Sequence, residues 1–171
     1  MNVFDFAMQM EVDGKKLYEK LAAESSDAGL RTIFLMLAAD EQKHFEIFRD
    51  LQQGGTPNLQ ETTALEESRR IFREALEHKE QILRSIDVEL EGYRYAMKLE
   101  ADSARLYEDA AARETRPEVK DLLLRVAGEE QKHFNILENI YDFFNAPNQY
   151  LAWREFSNLD EFHQFGRDVD R

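Results

Sequence analysis

Six side chains carry the chemistry open to this sequence: Glu11, Glu41, His44, Glu100, Glu130 and His133. Glu41 and His44 stand three residues apart in LAADEQKHF, as do Glu130 and His133 in VAGEEQKHF. Positions i and i+3 share a helix face, so each pair offers a carboxylate and an imidazole side by side. Glu11 and Glu100 each precede one of these pairs by thirty residues. Oxygen and imidazole nitrogen without sulfur suit iron or manganese, with zinc a common substitute. Charge points the same way. Four carboxylates buried bare would repel one another and be driven to protonate, whereas two divalent cations cancel them.

The six are related by an internal repeat. Residues 4–48 align without a gap on residues 93–137, with 17 identities in 45 pairs at an offset of 89. The matches include Ala7 and Ala96, Met8 and Met97, Glu11 and Glu100, the triplet Leu17, Tyr18, Glu19 on Leu106, Tyr107, Glu108, and EQKHF on EQKHF. Core periodicity alone would repeat apolar positions, yet the best-matched segment is mostly polar, so the repeat conserves a site as well as a fold.

Helices must position these groups. Ala, Leu, Glu, Lys, Gln, Arg and Met dominate between breaks, and no alternating β-branched run competes, so the class is all-α. The pattern predicts a helix over Val3 to Glu24, closed by Ser25, Ser26, Asp27, Ala28 and Gly29, and a second over about Leu30 to Leu51, stopped by Gly54, Gly55, Thr56, Pro57 and Asn58. A third is expected to begin after Asp87, with Glu89 and Glu91 in its first turn, and to run to about Arg113. Thr115 and Pro117 open a fourth that ends before Asn145 and Pro147. Residues 54–86 form a connector whose part from Ala64 to Arg84 looks helical.

Each repeat is then a helical hairpin. Glu11 lies about fifteen residues before the first turn and Glu41 about fifteen after it, so at ~1.5 Å per residue both stand roughly 22 Å from the turn. The same holds for Glu100 and Glu130. A 33-residue connector is long enough to return the chain along a bundle of about 30 Å. The hairpins would therefore meet head to tail around a pseudo-two-fold axis through the six ligands.

Other residues follow from this register. Asp40 and Glu129 precede the ligand glutamates and are expected to accept the free imidazole N–H, across the repeat axis, which would fix ring orientation. Tyr18 and Tyr107 lie seven residues beyond Glu11 and Glu100, and helix side chains lean toward the N-terminus, which aims their hydroxyls at the carboxylates. Gly14 and Gly128 suggest close packing or room for a small molecule. His78 and His163 lack carboxylates at useful spacing and are read as surface residues.

These motifs resemble the rubrerythrin branch of the ferritin-like superfamily. The resemblance rests on Glu11 with Tyr18, on the Glu41–His44 segment, on Glu100 with Tyr107, and on the Glu130–His133 segment, and it spans residues 1–144. It implies a ferritin-like four-helix bundle holding two iron ions that cycle between Fe2+ and Fe3+, in a homodimer or larger homo-oligomer. Relatives reduce hydrogen peroxide at the diferrous site, or oxidise Fe(II) with peroxide or dioxygen. On that footing Glu41 and Glu130 would bridge the metals, Glu11 and Glu100 would be terminal ligands, and His44 and His133 would supply one imidazole each. Ser103 stands where well-studied rubrerythrin peroxidases carry a further glutamate, which makes the ligand set similar to that of the bacterioferritin ferroxidase. Gln42 occupies the position of the haem-ligating methionine of bacterioferritin.

Composition narrows the function further. With no cysteine, the 171 residues contain no rubredoxin-type iron, iron–sulfur cluster, thiolate zinc site or disulfide, so electrons would come from a separate donor such as a rubredoxin or a small reductant. A net charge of −13 disfavours nucleic acid and anionic membranes. The longest apolar run, Ile33 to Ala39, is far short of the ~20 residues that span a bilayer, and a cytoplasmic protein is expected. The expected activity is a di-iron peroxidase or ferroxidase. Iron sequestration or delivery without turnover and a purely structural bundle are the alternatives. Residues 145–171 form an extension in which Tyr150, Trp153, Phe156, Leu159, Phe162 and Phe165 make an aromatic stripe, expected to pack on the bundle or on a partner copy.

Overall fold

The computed structural model describes residues 2–78 and 90–145. The aromatic stripe beyond residue 145, His163 and the connector residues 79–89 lie outside it. The described residues form five helices and no strand: α1 (Val3–Glu24), α2 (Ala28–Gln52), α3 (Ala64–Leu76), α4 (Leu90–Arg113) and α5 (Pro117–Asn145).

Local chemistry sets the ends. Asn2 and Asp5 form a reciprocal capping box at the start of α1, satisfying two donors that the first turn leaves unpaired. Asp27 caps α2 by accepting from Leu30 N–H at 2.8 Å, so this helix begins at Ala28, two residues before the predicted start. Such a cap is worth about 1 kcal/mol. At the other end of α2 the chain turns through Gly54, whose φ of +79° is costly for any residue with a side chain. Pro117 opens α5, where its missing N–H costs nothing.

The core explains the topology. One apolar cluster gathers Tyr18, Leu21, Ile33, Phe34, Leu37, Tyr93, Ile136, Ile140 and Phe143. A second gathers Ala7, Ile47, Phe48, Leu51, Leu59, Tyr107, Val119, Leu122 and Val126. Helix α1 runs from the second cluster to the first and α4 from the first to the second, so these neighbours are antiparallel. Helix α5 opposes α2 in the same way. The hairpins α1–α2 and α4–α5 therefore pack head to tail, as their repeat and long connector require. The crossover starts in the second cluster at Leu59, enters the first at Ala64, Leu65 and Phe72, and lays α3 against α2 and α5. This is a ferritin-like four-helix bundle with a partly helical crossover. Among the described residues, no helix is long and apolar enough to cross a membrane.

Candidate metal centre

Between the two apolar clusters lies a polar layer to which all four long helices contribute. Glu11 stands on α1 between Ala7 and Tyr18, and Glu100 stands on α4 between Ala96 and Tyr107. Glu41 and His44 occupy the matching stretch of α2, and Glu130 and His133 that of α5. All six side chains are buried, both imidazoles completely.

They form two overlapping quartets. Glu11, Glu41, His44 and Glu130 bring one donor atom each to within 4.8 Å of one another, and so do Glu41, Glu100, Glu130 and His133. Glu41 and Glu130 belong to both. His44 Nδ1 lies 2.9 Å from Glu130 Oε1 and 3.4 Å from Glu11 Oε2. His133 Nδ1 lies 3.0 Å from Glu41 Oε1 and 3.4 Å from Glu100 Oε1. The rings are stacked, with centroids 5.9 Å apart. Six inward-facing atoms make no hydrogen bond: Glu11 Oε2, Glu41 Oε1, both carboxylate oxygens of Glu130, and Nδ1 of each histidine. Buried polar atoms rarely go unpaired, because each costs about 1–3 kcal/mol. Orphaned oxygens and nitrogens converging on two points are the donor set that a pair of divalent metal ions would complete.

Partners outside the quartets hold both imidazoles and two of the glutamates. His44 Nε2 pairs with Glu129 Oε2 at 2.7 Å, and His133 Nε2 with Asp40 Oδ2 at 3.0 Å, so each imidazole leans on an acid of the opposite hairpin. This leaves Nδ1 free to coordinate while Nε2–H donates, the arrangement that fixes a metal-binding imidazole. Tyr18 donates its hydroxyl to Glu100 and Tyr107 donates to Glu11. Both tyrosines reach the glutamate of the other repeat and not that of their own helix. Gly14 is a close contact, since a Cβ there would stand 2.6 Å from Glu41 Oε2. Gly128 is not, having nothing within 4 Å of that position. His78 is exposed.

Without metal the layer is electrostatically divided. Burial, then the charges of Glu130, Glu11 and Glu100, lifts Glu41 well above the usual carboxylate range. Burial and Glu130 likewise push Glu100 up to about 8. Burial and Glu11 act on Glu130 in the same sense, but His44, with Glu100 and His133, outweighs them and holds it below its ordinary value. Burial disfavours charge on both imidazoles, yet the surrounding carboxylates, Glu130 foremost at His44 and Glu100 at His133, carry them well above the ordinary histidine range. Protons thus partly neutralise the layer in the role two dications would take.

The sequence over residues 2–141 matches the rubrerythrin family. The chain belongs to that family. A di-iron centre is what membership implies, and the buried quartets of this rubrerythrin-family bundle fit one. Neither the curated proteins nor the solved structures gave a match.

One residue of this layer escaped the sequence reading. Thr62, in the crossover, donates its backbone N–H to Glu129 Oε1 at 2.8 Å and its hydroxyl to Asp40. It lies in neither repeat, so self-comparison could not mark it.

Proposed function

We propose that this protein is a di-iron oxidoreductase of rubrerythrin type, in which a reduced centre is oxidised by hydrogen peroxide or dioxygen. The observation that carries the reading is the pair of overlapping quartets with shared Glu41 and Glu130. Glu41 and Glu130 would bridge two irons, Glu11 and Glu100 would be terminal ligands, and His44 and His133 would bind one iron each. The iron pair supplies two electrons at adjacent positions together with Lewis acidity, enough to reduce peroxide to two waters with two protons. The chain's own groups hold that chemistry in place. Asp40 and Glu129 orient the imidazoles, Tyr18 and Tyr107 hold the terminal carboxylates, and the apolar clusters on either side exclude bulk water. The electron donor would be a separate protein such as a rubredoxin, or a small reductant, because the chain has no cysteine to hold a second iron centre. A homodimer or larger assembly in the cytoplasm is part of the same proposal.

Ser103 favours a second reading within the same chemistry. Buried three residues after Glu100, it leaves the centre without a further carboxylate there, which suits Fe(II) oxidation for sequestration or delivery better than repeated peroxide turnover. Stopped-flow mixing of the Fe(II)-loaded protein with peroxide or dioxygen tests the first proposal. Oxidation no faster than that of free Fe(II) with either oxidant would overturn it. Repeated turnover with peroxide and a reductant, at two irons per chain, would identify a peroxidase. Accumulation of many irons per chain would identify storage.

A further inference from the structure

Asp40 and Glu129 occupy equivalent positions in the two repeats, one behind each imidazole, and a single residue outside the repeats touches both. Thr62 is 4 % exposed where the crossover passes between the hairpins. Its two bonds are of different kinds. The amide N–H donates to Glu129 Oε1, whereas His44 Nε2 pairs with the other oxygen of that carboxylate. The hydroxyl donates to Asp40 Oδ2, the same oxygen that receives His133 Nε2–H. Ala64 N–H donates to Thr62 Oγ1 at 3.1 Å, which leaves the hydroxyl proton to point at Asp40. Lys43 Nζ, 3.2 Å from Asp40 Oδ1, completes the surroundings of that acid.

We propose that Thr62 is a positioning residue that makes the two halves of this pseudo-symmetric centre inequivalent. Its hydroxyl orients Asp40, and through it the His133 imidazole, while its main chain does the same for Glu129 and His44. An oxygen that accepts two donors is turned and polarised by both, so His133 leans on a more constrained acceptor than His44 does. The backbone amide survives replacement of the side chain, but the hydroxyl bond does not. Thr62→Val therefore cuts only the arm to Asp40, together with the bond from Ala64 N–H at the start of α3. Loss of a partner behind a metal-binding imidazole typically costs 10–100-fold in metal affinity.

The inference rests on the six-ligand centre, not on its reaction with oxidants, and Co(II) titration of the full-length protein separates the two. Two Co(II) ions are expected per chain, with two exchangeable, hyperfine-shifted imidazole N–H signals in the proton NMR spectrum. In Thr62→Val, which leaves Asp40 itself behind His133, one Co(II) site should weaken by up to about tenfold, the low end of the effect of losing such a partner, and one N–H signal should move, the other site and signal staying as they were. Thr62→Ser, which keeps the hydroxyl, should restore both. Asp40→Asn should reproduce the single-site loss, a test that holds even where Thr62→Val folds poorly, and in the double variant Thr62→Val should add little more to the loss. Two sites that stay unchanged or weaken in parallel in Thr62→Val and Asp40→Asn would overturn the inference and leave the metal centre standing. Failure of the parent protein to take up two Co(II) ions would overturn the metal centre and the inference with it.

Discussion

Glu41 occupies the space that a side chain on Gly14 would need. Its Oε2 lies 2.6 Å from the position of a Cβ there. Ser103, the repeat counterpart of Gly14, carries a hydroxymethyl group at the corresponding position of α4. One of the two glutamates shared by both quartets thus lies directly against a helix backbone.

Gly14→Ala should separate metal binding from folding. Alanine gains up to about 1 kcal/mol of helix propensity over glycine, while its methyl group pushes the end of a flexible glutamate aside. The metal-free protein should melt at the same temperature or higher. Zn(II) affinity measured by calorimetry should fall on the order of tenfold, in keeping with the loss of ligand positioning. Unchanged affinity would show that Glu41 can bind from a second rotamer.

Tyr18→Phe and Tyr107→Phe each strip a buried donor from a glutamate of the opposite repeat. A hydrogen bond contributes about 0.5–1.5 kcal/mol net, and an abandoned buried oxygen adds a desolvation cost of about 1–3 kcal/mol. Urea unfolding should place each variant roughly 1–3 kcal/mol below the parent protein, with the m-value unchanged. Because each bond joins one hairpin to the other, both variants are expected to loosen hairpin docking equally. A loss at only one tyrosine would deny the pseudo-symmetry of this layer.

Most of this centre is written in the sequence, because the repeat supplies a control that composition cannot. Polar identity at EQKHF, at Glu11 and Glu100, and at Tyr18 and Tyr107 marks positions where helical periodicity alone would preserve only apolar character. The common level of the six side chains follows from the rise of a helix, and the head-to-tail packing from the length of the connector. What could not be read depends on contacts between segments that do not repeat. Thr62 bonds to two acids from a loop, and the preference of Tyr18 for Glu100 over Glu11 is decided by packing between hairpins. Gly14 and Gly128 look alike as helical glycines, and only the path of the Glu41 side chain distinguishes them.

The metal-free protein should lose stability as pH rises from about 4.5 to 8. Glu41, Glu100, His44 and His133 all have pKa values raised by the fold, with Glu100 at about 8, so the folded state binds more protons than the unfolded chain in this range. Stability then falls with pH, because the contribution of a raised pKa is complete below the unfolded value and lost above the folded one. Asp40 and Glu130, whose values are lowered, act below this window, where acid removes their contribution. Metal competes for the same sites, so its affinity should climb over the interval in which the metal-free protein weakens. Melting curves at pH 5, 6.5 and 8, with and without Zn(II), check both trends. A metal-free melting temperature that rises toward pH 8 would contradict the protonated layer.

Glu41→Gln and Glu130→Gln should have opposite effects on the metal-free protein, although the two residues are equivalent in the repeat. Glu41 is pushed toward its neutral form by burial and by Glu130, Glu11 and Glu100, so a neutral amide relieves repulsion and should raise the melting temperature at pH 8. Glu130 is held in its charged form against burial by His44, and it lies 2.9 Å from that ring and 3.5 Å from His133. Replacing it leaves two buried imidazoles without their closest common counter-charge, and removal of one partner from a buried pair costs about 3–5 kcal/mol. Both variants should lose tight binding of a second metal ion, since each removes a carboxylate common to both quartets. Calorimetric melting and Co(II) titration of the two proteins read these effects separately. Equal shifts in melting temperature would mean that the charge is shared evenly across the layer and that the division between Glu41 and Glu130 is absent.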